Sequence, residues 1–220
     1  MVNLSPNVYL RQLDIISKEK FTCPICIIGA GATGSFVALA LAKMGMNKIS
    51  IWDFDSVEEH NFPNQLFRLN DLMGYKAERT ANIVKDFTGI DVKFENKKYE
   101  NQKLQGVVVL AVDSMDTRRR IYENCQKTED VSLIVDPRTG GETFRIYTIN
   151  PHSAKDRKFY EKYLYSDNVV APIPCTAQAI IYNVLAVSAL ICNQIKRYLM
   201  AQPYNIEILA DTGNCMLLTK

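Results

Sequence analysis

The fold of this chain is decided by residues 23–34, which read CPICIIGAGATG. An apolar run at 23–28 is closed by Gly29, and an alanine- and leucine-rich segment at 35–43 stops at Gly45. A short apolar run closed by glycine is typical of a buried parallel strand, and a glycine just beyond a periodic segment is typical of a helix C-terminus. We therefore expect a strand, a glycine turn and a helix in this order.

The glycines of this turn fit the pattern G-x-G-x-x-G at Gly29, Gly31 and Gly34. Such a turn lets the backbone approach a phosphate closely, and the N–H groups at the start of the helix then face the phosphate. Asp53 lies 19 residues beyond Gly34, at the end of an expected strand at 49–53, where a carboxylate can bind ribose hydroxyls. The pattern indicates a nucleotide-binding site; the alternative is a purely structural turn.

Strand and helix patterns alternate along the first two thirds of the chain. Further helices are expected at 8–18, 76–87, 116–127 and 176–199, and further strands at 91–95, 107–112, 132–136, 142–149, 204–209 and 215–218. We predict an α/β fold with a Rossmann-like, doubly wound, mostly parallel sheet and a C-terminal antiparallel extension. One domain is expected over 1–220, with an N-terminal helix at 1–20, a nucleotide-binding half at 21–140, and a crossover, long helix and closing strands at 141–220.

Composition excludes several classes of partner. The 220 residues include 26 basic and 24 acidic ones, a net charge of +2, which gives no electrostatic case for nucleic acid. We expect the run 118–120, three arginines, to be solvated or to face a ligand.

The chain does not open with a signal peptide and its six cysteines are scattered, so we expect a cytoplasmic protein with free thiols.

A long uncharged stretch raises the question of a membrane span. No charged residue falls between Asp167 and Lys196, but prolines and amide side chains interrupt the stretch. We therefore favour a helix buried in the protein or in a dimer interface over a membrane-spanning one.

Polar side chains gather after the expected strands, where open α/β sheets bind ligands. Triphosphate chemistry needs a cation such as Mg²⁺ on an oxygen ligand, and positive charge on the phosphate under attack. Asp113 and Lys76 supply these two needs, which favours ATP over a nicotinamide. A Rossmann oxidoreductase using NAD or a flavin remains the alternative. In that case Lys76 is a solvated lysine and Asp113 a turn or capping residue.

Several short motifs together resemble the ThiF/MoeB/HesA superfamily, which includes the ubiquitin-activating enzymes. The matching residues are Tyr9, Leu10, Arg11 and Gln12; the three turn glycines; Asp53, Asp55, Val57 and Glu58; Asn61 and Gln65; Gly74 and Lys76; and Asp113 and Arg118. The likeness runs from about residue 9 to residue 200. It implies ATP-dependent adenylation of the C-terminal carboxylate of a ubiquitin-like or sulfur-carrier protein ending in glycine. It also implies a homodimer and the use of Mg²⁺.

The resemblance also implies roles for individual residues. Asp53 is expected to bind ribose, Asp113 to hold Mg²⁺, and Arg11 to act on the partner subunit's nucleotide unless it is a surface arginine. The expected nucleotide-binding residues are Gly29, Gly31, Gly34, Asp53, Asp55, Asn61, Asn64, Gln65 and Lys76, and the expected catalytic residues are Arg11, Lys76, Asp113 and Cys175. Cys175 takes either a covalent role, linking to the activated partner, or a structural one.

The chain departs from the family pattern in a few places. Asn64 stands where the family has an arginine, which Arg68 is hypothesised to replace, and Ser114 replaces an asparagine. The one CxxC pair, Cys23 and Cys26, is expected to be two core thiols rather than a zinc site. A non-catalytic subunit, or a small peptide or modified nucleoside as substrate, therefore stays open.

Overall fold

The computed structural model describes residues 8–165 and 179–220, and the strands within these ranges form one sheet. The strands are β1 (Ile25–Ile28), β2 (Ile49–Trp52), β3 (Lys93–Glu95), β4 (Gly106–Leu110), β5 (Val131–Gly140), β6 (Thr143–Ile149), β7 (Glu207–Asp211) and β8 (Met216–Thr219). The helices are α1 (Ala32–Lys43), α2 (Lys76–Thr88), α3 (Met115–Cys125), α4 (Ala154–Tyr160) and α5 (Ile181–Leu199).

The strand order confirms the predicted fold class. The order is β3-β2-β1-β4-β5-β6-β7-β8. The strands from β3 to β5 pair in parallel, and β5 to β8 pair antiparallel. After β1 the chain builds the sheet outward to β3 and then returns to the other side of β1 as β4. This reversal creates a crevice beyond the carboxyl ends of β1 and β4, where doubly wound sheets bind ligands.

Helices cover both faces of the sheet because the central strand is apolar on both faces. In β1, Ile25 and Ile27 pack in the cluster that contains α1, α2 and α5. Cys26 and Ile28 point to the other face and pack with side chains of α3 and α4. The alternation follows the two-residue period of a strand, and burial on both faces explains why the sequence shows a continuous apolar run.

From residue 179 on, the long uncharged stretch lies mostly in α5, a helix packed inside the protein. Helix α5 lies against α1, and Val187, Ile191 and Ile195 are fully buried. Within the part of the chain that the structure describes, no helix has the length and hydropathy of a membrane span.

Two helix predictions were wrong. The segment 8–18, expected as one helix, instead contains a 3-10 helix at Leu10–Gln12, and a second 3-10 helix follows at Lys18–Thr22. Tertiary contacts override the helical pattern there: Gln12 Nε2 donates to Met44 O at 2.9 Å. Helix α4 was missed in the segment predicted as a polar crossover. Its start is capped by Ser153, whose Oγ accepts from Asp156 N at 3.3 Å.

The CxxC pair does not lie inside the first strand as expected. Cys26 is buried in β1, whereas Cys23 precedes the strand and is only half-buried. The two thiols therefore occupy different environments, and the prediction of two core thiols is correct for Cys26 alone.

Candidate nucleotide-binding site

The glycine turn is packed against the end of β4. Gly29 has φ +102°, and a Cβ there would lie 2.2 Å from the carbonyl oxygen of Ala111. A Cβ on Gly34 would lie 1.9 Å from the carbonyl oxygen of Gly29. Gly31 differs, because a Cβ there would meet no described residue within 4 Å. Gly29 and Gly34 are thus required for packing, while Gly31 borders open space.

The start of α1 suits an anion. Gly31 occupies the N-cap position and provides no side-chain hydrogen bond to the first turn. The N–H groups at the start of the helix are therefore left for solvent or for a bound group, and the helix dipole favours a negative charge there. The described residues also leave the space beside Gly31 open.

These glycines can be separated experimentally. We expect Gly34→Ala to lower the free energy of unfolding by about 1–3 kcal/mol, because the added methyl group meets backbone. We expect Gly31→Ala to change stability by less than about 0.5 kcal/mol and yet weaken ATP binding, because its methyl group enters the open space. Thermal unfolding and calorimetric titration measure the two effects. Equal destabilisation by both substitutions would contradict this assignment.

Asp53 follows β2 and is bonded to the glycine turn. Its Oδ2 accepts from Ala30 N at 2.6 Å and its Oδ1 accepts from Asp55 N at 2.8 Å. Burial raises the pKa of Asp53, while the two amide bonds and nearby Lys76 act in the opposite direction. Each carboxylate oxygen retains a second acceptor position, so Asp53 can still bind ribose hydroxyls.

Lys76 begins α2 and lies beside the same carboxylates. Its Nζ is 3.3 Å from Asp55 Oδ2, and its side chain is only 11% exposed. Its backbone N–H donates to Asp55 O at 2.9 Å. The structure therefore brings Asp53, Asp55 and Lys76 together at the end of β2, next to the glycine turn.

The loop at 61–66 is fastened to α1. Asn61 is buried, and its Oδ1 accepts from Glu58 N at 2.9 Å. Leu66 N donates to Ser35 Oγ at 3.3 Å, on the second turn of α1. The side-chain oxygens of Asn64 and Gln65 are buried and have no hydrogen-bond partner among the described residues. An unpaired buried acceptor costs about 1–3 kcal/mol, so we expect a ligand hydroxyl or a water to complete this part of the site.

Asn64 and Arg68 behave differently from what the family pattern suggests. Asn64 Nδ2 donates to Ala179 O at 3.0 Å, which fastens the loop to the residues before α5. Arg68 binds Asp71 through Nε and Nη2 at 3.0 and 3.1 Å, and Asp86 through Nη1 at 2.7 Å. These bonds engage the guanidinium on both sides, and the replacement of the missing arginine by Arg68 stays a prediction.

Asp113 is exposed just beyond the end of β4. Ala111, two residues earlier, contacts the glycine turn, so Asp113 lies on the same edge of the sheet as the turn. Ser114, which replaces the family asparagine, caps α3 by accepting from Thr117 N at 3.2 Å. Among the described residues no group of three or more His, Cys, Asp or Glu side chains could hold a metal ion. Asp113 offers one exposed carboxylate, and Mg²⁺ usually takes one or two carboxylates together with phosphates and water.

Arg11 lies at the other end of α1 from the glycine turn. It belongs to the 3-10 helix that Gln12 attaches to Met44, just after the C-terminus of α1. Helix α1 has 12 residues and is therefore about 18 Å long. Arg11 is thus far from the glycine turn of its own chain.

The cysteines divide into those the structure describes and Cys175, which lies outside the described residues. Burial raises the pKa of Cys125 and of Cys192 to about 12. Both are therefore protonated near neutral pH and are poor nucleophiles.

The sequence did not predict a buried cluster of charged side chains on α3 and β5. Arg118, expected to be solvated or to face a ligand, is buried and ion-paired with the fully buried Asp136. No local pattern signals this pair, because the two residues lie on different elements.

The fold defines an α/β protein with a Rossmann-like, mostly parallel sheet and antiparallel C-terminal strands. The profile of the ThiF family matches residues 9–206, and the chain belongs to the ThiF family.

Sequence relatives include activating enzymes and a tRNA-modifying enzyme. The tRNA threonylcarbamoyladenosine dehydratase of Haemophilus influenzae is 26% identical over 132 residues, which cover 54% of this chain and 49% of that protein. The ubiquitin-like modifier-activating enzyme ATG7 of Candida albicans is 27% identical over 190 residues, covering 73% of this chain and 28% of that protein. The chain thus spans half or less of the length of these relatives.

Solved structures share the fold. The crystal structure of Escherichia coli MccB has a TM-score of 0.79 at 15% identity, covering 100% of this chain and 70% of that chain. PaaA has a TM-score of 0.78 at 13% identity, covering 99% of this chain and 74% of that chain.

Proposed function

We propose that this chain activates a carboxylate by ATP-dependent adenylation, and that the carboxylate is the C-terminus of a ubiquitin-like or sulfur-carrier protein ending in glycine. The observation that carries the proposal is the grouping of Asp53, Asp55 and Lys76 against the glycine turn, with Asp113 on the same edge of the sheet. Bound MgATP requires a carboxylate for the ribose, backbone N–H groups for the phosphates, a cation beside the phosphates and a carboxylate for the metal. In this proposal Asp53, the glycine turn, Lys76 and Asp113 meet these four needs in turn.

In the proposed reaction, a carboxylate oxygen of the partner attacks the α-phosphorus of ATP. The new O–P bond forms as the bond from the α-phosphorus to the bridging oxygen breaks, and pyrophosphate leaves with that electron pair. The protein has to position two anions and offset their charge. Lys76 provides the fixed cation, and Asn61, Asn64 and Gln65 line the site on the side of α1. Mg²⁺, held by Asp113, would neutralise phosphate charge.

The relatives support this reaction class and leave its substrate open. ATG7 and ubiquitin-like modifier-activating enzyme 5 of Drosophila willistoni, which is 33% identical over 95 residues, are named for activating ubiquitin-like modifiers. MccB has been crystallised with ATP and with MccA. The tRNA-modifying relative keeps a modified nucleoside as an alternative substrate, although a net charge of +2 gives no support for RNA binding.

Pyrophosphate exchange tests the proposal directly. Wild-type protein is incubated with ATP, labelled pyrophosphate, and candidate proteins ending in Gly-Gly; partner-dependent labelling of ATP is the expected result. Absence of exchange with any partner, together with binding of NADH or a flavin, would favour an oxidoreductase. Failure to bind ATP alone, with activity restored by a second subunit, would indicate a non-catalytic subunit.

We also propose a homodimer in which Arg11 acts on the partner subunit's nucleotide. Arg11 lies at the far end of α1 from its own glycine turn, so it cannot reach its own nucleotide. Helix α5 exposes apolar side chains, with Tyr182 at 42% and Leu185 at 49%, and it packs on α1, which carries no charge before Lys43. An apolar surface of this kind suits a second copy of the chain.

Complementation tests the dimer. We expect Arg11→Ala and Lys76→Ala proteins to be inactive alone and to regain about a quarter of wild-type activity when co-refolded in equal amounts, because half of the dimers then contain one intact site. Pyrophosphate exchange measures the gain. A matched mixture of Arg11→Ala with the Arg11→Ala, Lys76→Ala double variant should stay inactive, because neither subunit then provides Arg11. A mixture no more active than its separate components would exclude sharing of the site.

A further inference from the structure

Two arginines share one buried carboxylate behind the candidate site. Asp136 is fully buried on β5. Its Oδ1 accepts from Arg118 Nη1, and its Oδ2 accepts from Arg138 Nη2 at 2.7 Å and from Tyr160 Oη at 2.8 Å. Burying such a cluster is costly, and a buried ion pair is weak evidence of a contribution to stability. Its geometry is more informative, because one carboxylate binds both the arginine that holds the end of β4 and the groups at the end of α4.

On one side, Arg118 holds the end of the strand that leads to Asp113. Its Nη1 donates to Leu110 O at 2.8 Å, and its Nη2 donates to Val112 O. These carbonyls flank Ala111, against which the glycine turn is packed. The position of Arg118 therefore fixes the backbone beneath both the glycine turn and the Asp113 turn.

On the other side, Arg138 holds the chain after α4. Its Nη1 donates to Tyr163 O at 2.7 Å, and its guanidinium lies 4.7 Å from the centroid of the Tyr147 ring. Tyr160, the last residue of α4, contributes the hydroxyl that binds Asp136. Neither Arg138 nor Tyr160 makes a hydrogen bond to the strand end at 110–112.

We propose that Asp136 is a positioning residue that couples the end of α4 to the nucleotide site. By holding Arg118, it keeps the strand end at 110–112 in place, and through Arg138 and Tyr160 its own position depends on the segment after α4. Weakening the bonds on the α4 side should therefore loosen the Asp113 turn at a distance. The catalytic part of this inference rests on the proposed function; the coupling itself does not.

Hydrogen–deuterium exchange of the full chain tests the coupling. The test variants are Tyr160→Phe, which loses only a hydroxyl, and Arg138→Met. The matched controls are Tyr122→Phe and Arg145→Met. Tyr122 is buried on α3 and donates to Glu161 at 2.8 Å, and Arg145 is 3.4 Å from Glu207 and lies over the Tyr163 ring.

The test variants should exchange about fivefold faster than wild type at the amides of 110–117, while the controls match wild type there. Unchanged exchange at 110–117 in Tyr160→Phe, or equal acceleration in Tyr122→Phe, would overturn the proposal. Since Tyr160→Phe keeps the ring and both arginines, it decides the question even if Arg138→Met fails to fold.

A kinetic measurement separates this inference from the proposed function. In pyrophosphate exchange, Tyr160→Phe should raise the KM for MgATP about fivefold and change kcat less, because it displaces the site without removing a group that contacts the nucleotide. If wild type exchanges pyrophosphate and Tyr160→Phe has the same KM, the positioning role fails and the function stands. If wild type shows no exchange, the function fails, and hydrogen exchange alone decides the coupling.

Discussion

Lys76→Ala is expected to reduce partner-dependent pyrophosphate exchange about 10²–10³-fold. The Lys76 side chain is largely buried, and its ammonium group lies beside Asp55. In such a partly buried position a fixed cation stabilises developing phosphate charge far more than an exposed lysine does. The loss should appear mainly in kcat.

Lys85→Ala is the matched control for this prediction. Lys85 lies on the same helix, α2, and pairs with Asp91 at the opposite end from Lys76. Both side chains carry the same charge, but Lys85 is exposed. We expect exchange activity within about twofold of wild type, because surface ion pairs contribute little. If both alanine variants lose the same activity, Lys76 acts through stability rather than on the nucleotide.

Asp113→Ala is expected to cost a similar factor, about 10²–10³, and to raise the Mg²⁺ concentration needed for half-maximal exchange. Asp113 lies three residues beyond the end of β4, on the same edge of the sheet as the glycine turn. Removing it should weaken metal-dependent steps while leaving the fold intact, since the residue is exposed.

A Mg²⁺ titration of exchange activity checks this prediction. Asp130→Ala provides the control, because Asp130 is an acidic residue at the opposite edge of the sheet, just before β5, where it pairs with Lys103. Its titration curve should superimpose on that of wild type. An Asp113→Ala curve with an unchanged midpoint would show that Asp113 does not hold the metal.

Local patterns were sufficient to predict the centre of the fold. Residues 25–43 form a strand, a glycine turn and a helix, and every step carries a local signal: an apolar run, fixed glycine spacing and a helix stop. The grouping of Asp53, Asp55 and Lys76 was predictable because all three adjoin the carboxyl end of one strand. Parallel strands bring such ends to one edge of the sheet.

Features that depend on distant parts of the chain were not predictable. Asn64 binds Ala179, which is 115 positions away. Arg118 begins a run of three arginines and was expected to be solvated or to face a ligand. It is instead buried, where it binds the carboxylate of Asp136, 18 positions later. Helix α4 and the 3-10 helices near the N-terminus have weak periodicity, and tertiary contacts decide their form. The family motifs include Arg118, the position of Asn64 and residues 9–12, but a motif does not say which distant group each residue contacts.

The two amide bonds to Asp53 mean that the crevice is already shaped before any ligand enters. The backbone at Ala30 and Asp55 is held by the carboxylate itself, so the conformational entropy of ordering this loop is lost during folding rather than at the moment of encounter. The affinity for a nucleotide then reflects its contacts with a rigid site, because little free energy is lost in rearranging this loop on binding.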